Sequence, residues 1–301
     1  MARILVAGLN PAWQKLLGFA DFRPGEVNRA LNATTLASGK GINAAKVLRR
    51  LGHEVWLLQI LGGENGRRCR DACDALGIHG VNFWVKAETR QCLTLLHGNP
   101  ADTAGECTEI IEPFRVAEAG VGLALLEALP ADPTVFDGLA ICGTVPPGVG
   151  EGVYAELLKR FRPQVSVVDA WQGLRPDSLA SATCVKLNQL EYRALEERLG
   201  PGGTGDALFL LTSGSGEASV RRGRDCLARI LPPRLAAVAN PIGAGDTVTA
   251  GLVHYLLQGM DPVEAFRHGL AMGSASCLDR LPAEYSEADF RRLLPMTEVL
   301  R

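Results

Sequence analysis

The feature that most limits the folds open to this chain is an alternation of apolar runs of strand length with segments of helical period. The runs are "RILVAGL" (3–9), "EVWLLQI" (54–60), "FDGLAIC" (136–142), "VSVVDA" (165–170), "CVKLN" (184–188) and "ALFLLTS" (207–213). Segments near 41–51, 66–76, 150–161 and 189–199 read as the helices between them. Buried strands separated by helices are what a parallel sheet covered on its faces requires. Between about 80 and 115 the rhythm breaks, and "VNFWVKAETRQCLTLLHG" and "ECTEIIEP" read as short strands of a small sheet standing apart from the main one. Residues 11–36 lack a clear helix and are expected to add strands to that piece. The expected organisation is one α/β domain over 1–301, with lid segments at about 11–36 and 84–115.

Composition narrows the class. A chain of 301 residues can bury a sizeable core, and 47% hydrophobic with 21% charged residues suits a soluble globular protein. Basic and acidic residues nearly balance at a net charge of -2, with no long basic run, so no nucleic-acid footprint is expected. The eight cysteines form no C-x-x-C pair, which argues for reduced thiols rather than a zinc site. The first apolar run is short for a signal peptide and none reaches the roughly 18 residues of a membrane span, so the expected location is cytoplasmic, without a membrane partner.

The segment "NPIGAGDTVTAG" (240–251) turns through Pro241 and its glycines into a helix marked by Val248, Leu252, Tyr255 and Leu256. Gly243, Ala244, Gly245 and Asp246 thus sit at a helix N-terminus, where unpaired N–H groups and the helix dipole favour a phosphate. Two roles fit Asp246. It can cap the helix, or it can act as a general base that takes a proton from a hydroxyl attacking a terminal phosphate. A second glycine loop, "ASGKGINAAKVLRRLG" (37–52), leads Ser38, Gly39, Lys40 and Gly41 into a helix with an apolar stripe of Ile42, Ala45, Leu48 and Leu51. Any parallel-sheet protein needs such a turn, but Asn43, an amide one turn into the helix, could reach a ligand hydroxyl.

Together the two segments resemble "GGKGxN" and "GAGD" of the ribokinase-like, or phosphofructokinase B, family of sugar kinases, in the same order and about two hundred residues apart. "NPA" (10–12), "GEVNRA" (25–30), "LGGENG" (61–66), "ETR" (88–90), "GTVPPG" (143–148) and "KLNQLE" (186–191) look like further stations of that family. "GEVNRA", "GKGIN" and "ETR" are most similar to its branch of 1-phosphofructokinases and tagatose-6-phosphate kinases. The resemblance implies a Rossmann-like three-layer αβα sandwich with a mostly parallel central sheet and a small β-sheet lid. It also implies transfer of the γ-phosphate of ATP, with Mg2+, to a hydroxyl of a phosphorylated ketohexose, and a homodimer formed through the lid.

Residue by residue, the resemblance makes Asp246 the base and Gly243, Ala244 and Gly245 the anion hole. Asn188 and Glu191 match the motif that organises magnesium, often through water; alone they also fit an N-cap and a solvated carboxylate. Gly39 and Asn43 match contacts to sugar hydroxyls, with Ser38, Lys40 and Thr144 nearby on the acceptor side. Arg29 and Arg90 match holders of the phosphate already on the substrate. Lys186, Thr212, Gly214 and Gly216 fall to the nucleotide.

The departures lie on the acceptor side. Gln14 stands where the family's "NPAxD" has an aspartate, and an amide both donates and accepts whereas a carboxylate only accepts. Ser38 replaces a glycine, and "TEIIEPF" puts Ile111 and Phe114 where Asn and Gly are common. The expectation is a working phosphotransfer apparatus aimed at an altered acceptor. Two alternatives stay open: a kinase of an unphosphorylated sugar or nucleoside, and a non-catalytic sugar-phosphate-binding regulator.

Overall fold

The apolar runs form strands. In this computed structural model, which describes residues 1–97, 106–223 and 225–300, the chain begins β1 (Arg3–Ala7), β2 (Ala12–Gly18), β3 (Asn32–Ser38), α1 (Lys40–Arg50), β4 (Glu54–Leu61), α2 (Gly63–Ala75) and β5 (His79–Trp84). It continues β6 (Gln91–His97), β7 (Glu106–Ile111), α3 (Val121–Glu127), β8 (Gly138–Cys142), α4 (Val153–Arg160), β9 (Val165–Asp169), α5 (Pro176–Ser181), β10 (Cys184–Asn188) and α6 (Gln189–Leu199). Then follow β11 (Leu208–Thr212), β12 (Ala218–Arg222), β13 (Asp225–Leu231), α7 (Ala244–Leu257), α8 (Pro262–Ser276), α9 (Glu287–Leu293) and β14 (Glu298–Leu300). Residues 98–105, part of the expected 84–115 lid segment, lie outside the described residues, as does position 301.

The main sheet has the order β14-β13-β12-β11-β10-β9-β8-β1-β4-β5. It is parallel from β11 to β5, and antiparallel through β12, β13 and β14 at one edge. Alternate strand residues feed two cores. One, with Val6, Leu57 and Leu210, packs against Leu48 of α1, Val253 of α7 and Phe266 of α8. The other, with Leu5, Ile141 and Phe209, packs against Leu125 of α3, Leu157 of α4 and Leu195 of α6. Each fully buried side chain of this size contributes about 1.5–3 kcal/mol relative to exposure, and the three layers follow from covering both faces.

A smaller sheet stands apart, in the order β3-β2-β6-β7. Its β2–β6 pair is parallel and its outer pairs antiparallel. It is seated on α2, where the Arg68 guanidinium lies 5.9 Å from the Trp13 ring centroid. One expectation needs correction. The beginning of "VNFWVKAETRQ" does not join the small sheet: residues 79–84 form β5, parallel to β4 through Trp56↔His79 to Leu61↔Trp84. Helix α2 makes β4 and β5 an ordinary crossover pair. As the edge strand, β5 is only half covered, which removes the all-apolar signature of its neighbours.

Among the described residues no helix is long and apolar enough to cross a membrane, and all eight cysteines are free.

Candidate active site

From β1 the chain proceeds outward to β4 and β5 on one side, and its later strands β8 to β11 build the other. The strand order therefore reverses between β1 and β8, and in open α/β sheets ligands bind at the carboxyl ends of strands flanking such a reversal. A cavity of about 220 Å³ lies there, with Gly8 and Asn10 after β1, Cys142 and Thr144 at the end of β8, and Asp169 at the end of β9 among its walls. Helix α1 enters the same crevice because two glycines let it. A Cβ on Gly8 would stand 2.5 Å from the Cα of Gly41, and one on Gly41 would stand 2.4 Å from the Cα of Gly8, so the "GKG" loop lies directly on the end of β1.

Asp246 lies in the first turn of α7, buried at 7% exposure. The capping reading is excluded by geometry: the N-cap is Gly243, in the left-handed region at φ 82°, and no side chain caps the helix. The Asp246 carboxylate turns inward instead, and its Oδ2 accepts the Asn43 amide at 2.7 Å. Burial, and then the charge of Asp169, push its pKa up from 3.8 to about 6 against the pull of Lys40, the Asn43 bond and Lys186. Beside it Gly243, Ala244 and Gly245 are partly exposed, and a Cβ on Gly245 would lie 3.1 Å from Lys186 Nζ. Three backbone positions of a helix start, an ammonium and a proton-accepting carboxylate thus share one corner. None of 243–246 is in the cavity wall itself; Lys40, which is, and Asn43 connect the two.

Lys40 and Lys186 are held by one acid. Asp169, with 0% exposure, receives Lys40 Nζ on Oδ1 at 2.8 Å, and Lys186 Nζ and Thr249 Oγ1 on Oδ2 at 2.9 and 2.8 Å. Burial alone would raise its pKa, but the two ammonium groups and their hydrogen bonds outweigh burial and hold it well below the usual carboxylate range. Lys40 reaches on to Glu191 Oε1 at 3.1 Å. Burial works against its charge too, and Asp169, Glu191 and Asp246 overcome it, keeping Lys40 firmly protonated.

The structure brings together some of the expected residues and separates others. Lys40, Arg90, Thr144 and Glu191 line the cavity. Thr144 Oγ1 accepts from Asn10 at 2.9 Å, and the Arg90 guanidinium donates to the carbonyls of Asn10 and Pro11 at 2.9 and 3.3 Å. Ser38 is buried, its Oγ 3.4 Å from Asn43 Oδ1, and Gly39 packs on Pro11 and Asn10. Asn43, expected to reach a ligand, is spoken for by Asp246 and Ser38. Gln14 is buried on β2, donating to Thr94 Oγ1 at 2.6 Å while its Oε1 has no partner.

Arg29 is exposed between β2 and β3, outside the cavity wall. Asn188 is the N-cap of α6: its Oδ1 accepts from Glu191 N, and Glu191 Oε2 accepts from Asn188 N, both at 2.9 Å. Only the other Glu191 oxygen faces the cavity cation. Thr212, paired in register with Asn188, ends β11, and Gly214 and Gly216 form the turn to β12. Of the two lid departures, Ile111 lines the cavity, but Phe114 does not: it is buried at 5% in the core that holds α3 and α4.

Comparison with known proteins then decides the class. Residues 9–288 match the description "pfkB family carbohydrate kinase". The chain belongs to that family. It is similar to a tagatose-6-phosphate kinase of Staphylococcus epidermidis, 23% identical with 99% of each chain covered. It is also similar to a 1-phosphofructokinase of Rhodobacter capsulatus, 28% identical over 88% of this chain and 87% of that one. In fold it resembles phosphofructokinase-2 from Escherichia coli in complex with fructose-6-phosphate, with a TM-score of 0.77 at 22% identity, covering 98% and 99% of the two chains.

For this carbohydrate kinase, the sequence reading missed Asp169, the hub of the charge network. A signal was present: "VSVVDA" is an apolar run ending in one acid, at the carboxyl end of a central parallel strand where ligands gather. Thr249, one turn after Asp246, carried no signal apart from the fold. Trp171, also in the cavity wall, was equally silent, whereas Asn10 lay in the "NPA" stretch but was given no role.

Proposed function

We propose that this carbohydrate kinase transfers the γ-phosphate of ATP to a hydroxyl of a phosphorylated ketohexose, fructose- or tagatose-phosphate-like, with Asp246 as general base. The observation that carries the reading is the buried carboxylate at the start of α7, uncommitted to capping and raised to about 6, next to the Gly243–Gly245 turn and the Lys186 ammonium. Near neutral pH such a group is ionised yet still a useful proton acceptor. Asn43 holds Oδ2 and so fixes the direction of the carboxylate, while the backbone N–H groups and Lys186 oppose the charge of the transferring phosphate.

Magnesium carried by the nucleotide fits beside the carboxylate of Glu191, through water and with Asn188 next to it: Oε1, which takes one hydrogen bond from Lys40, keeps a lone pair free to accept from a metal-bound water. Bound there, it would neutralise charge between the phosphates. Thr212, Gly214 and Gly216 lie on the nucleotide side, at the end of the strand next to Asn188. Arg90, with Arg29, holds the phosphate of the acceptor, and Gln14, Ser38, Gly39 and Thr144 shape the sugar end. The names of the two curated relatives support a phosphorylated acceptor. We further read the chain as one domain with the small sheet as its lid, a homodimer through that sheet, working in the cytoplasm.

A second reading, an unphosphorylated acceptor, is favoured by the engagement of Arg90 with two backbone carbonyls and by the place of Arg29 outside the cavity wall. A panel of free and phosphorylated sugars with ATP and magnesium separates the two. Turnover of phosphorylated ketohexoses is expected; turnover only of a free sugar or nucleoside overturns the roles of Arg29 and Arg90.

A further inference from the structure

Asn240 opens the segment that leads into the Gly243–Gly245 turn, and at 1% exposure it is one of the most deeply buried polar side chains of the protein. The reaction described above gives it no task. Both ends of its amide are nevertheless used: Oδ1 accepts the N–H of Ile242 at 3.0 Å, and Nδ2 donates to the carbonyl of Arg280 at 2.9 Å. The backbone N–H groups of Ala239 and Asn240 both meet the carbonyl of Cys277, which caps the end of α8, at 2.8 and 3.2 Å. One side chain therefore ties the approach to α7 to the segment leaving α8.

That second segment is the floor under the anion-facing turn. A Cβ on Gly243 would lie 2.6 Å from the backbone nitrogen of Ala283 and 3.2 Å from Pro282. Ala283 has φ 56° and is the only non-glycine residue at positive φ among the described residues. Such a conformation persists where the surroundings impose it, and it clusters where backbone placement matters to function. Lys46 holds the carbonyl of Pro282 at 3.0 Å from the α1 side, and Asn240 holds the carbonyl of Arg280 two residues earlier from the α7 side.

We propose that Asn240 is a positioning residue for phosphoryl transfer. By bonding Ile242 and Arg280 at once, it sets the spacing of turn and floor, and with it the aim of the Gly243–Gly245 N–H groups relative to Asp246. The inference rests on the anion-binding role proposed for that turn. Donors aimed at charge that develops in the transition state lose effect when displaced by a fraction of an ångström, while ground-state binding of the nucleotide changes less.

Asn240→Asp is the sharper variant, since it keeps the size and the acceptor for Ile242 but sets an oxygen against the Arg280 carbonyl in place of a donor. Asn240→Ala removes both bonds. With circular dichroism confirming a folded chain, kcat, both KM values, and affinities for ADP and for ADP with aluminium fluoride, a mimic of the transferring phosphoryl group, are measured. Each variant is expected to lose about tenfold or more in kcat and in affinity for the mimic, with KM values and ADP affinity within about threefold of wild type. An unchanged kcat in folded Asn240→Asp overturns the proposal, as does a loss shared equally by ADP, or failure of both variants to fold. A wild-type protein that phosphorylates no sugar or sugar phosphate would remove the anion-binding reading and this inference with it. Normal wild-type turnover with indifferent variants removes this inference alone.

Discussion

Replacing Asp246 by asparagine should do two opposite things at once. A carboxyl raised from 3.8 to about 6 has an ionised form that the folded protein disfavours, by about 3 kcal/mol once both states are ionised. The sign follows from the direction of the shift. Below 3.8 the group is protonated in folded and unfolded chains alike and there is no penalty. As pH rises from 3.8 the unfolded chain sheds its proton first, and the penalty grows until it is complete above 6. Asp246→Asn removes it while retaining shape, and the new amide oxygen can still accept from Asn43. The variant is therefore expected to be more stable than wild type by up to about 3 kcal/mol at pH 8, roughly 5–10 °C in melting temperature, and by about half as much at pH 5. Turnover should fall by several orders of magnitude because the proton acceptor is gone. Urea unfolding at the two pH values, with a coupled ADP-release assay, reads both. A variant no more stable than wild type at pH 8, or a gap that does not shrink at pH 5, would refute the electrostatic account; retained turnover would refute the base.

The wild-type kcat/KM should drop about tenfold per pH unit below about 6 and stay level from 7 to 8, as a stopped assay across that range would show. Asp169→Asn strands the ammonium of Lys186, whose side chain is 4% exposed, while Lys40 keeps its ion pair with Glu191; urea unfolding should show a loss of about 3–5 kcal/mol. If that variant folds, its acid limb should move below that of wild type, because the Asp169 charge is one cause of the raised pKa of Asp246. Gly8→Ala drives a Cβ to 2.5 Å from the Cα of Gly41 and should cost about 1–3 kcal/mol in the same assay, with a raised acceptor KM because α1 carries Lys40 and Asn43.

Much of the fold is legible because the central strands are buried along nearly all of their length. "CVKLN" and "VSVVDA" are mostly apolar and buried since helices cover both faces, their charged members Lys186 and Asp169 pairing with each other. Legibility ends at the edges. Strand β5 shows no fully buried residue, so its pattern cannot distinguish membership of the large sheet from membership of the small one; only the pairing with β4 does. Phe114 misleads for a related reason. It follows β7 closely in sequence, but the chain has by then left the small sheet and dropped into the core beneath α3 and α4, a reversal that local composition does not record.

The candidate site was legible where a residue type answers to backbone geometry, and illegible where it answers to charge brought from far along the chain. Glycines at 41 and 243 are demanded by contacts a Cβ would fill, so motif reading finds them. Asp169 is demanded by Lys40, Lys186 and Thr249, which are separated from it by 129, 17 and 80 positions, and no spacing rule announces such a meeting. Yet that acid has two effects on the corner around Asp246. It anchors two ammonium groups, one of them, Lys186, beside the Gly245 turn proposed to bind phosphate, and its own negative charge helps to raise the pKa of Asp246. Either effect alone would be obtainable from a different residue: a serine or carbonyl could anchor a lysine, and a dry pocket could raise a carboxyl. Only a buried anion supplies both, which is why a charge so costly to bury stands at the end of a central strand.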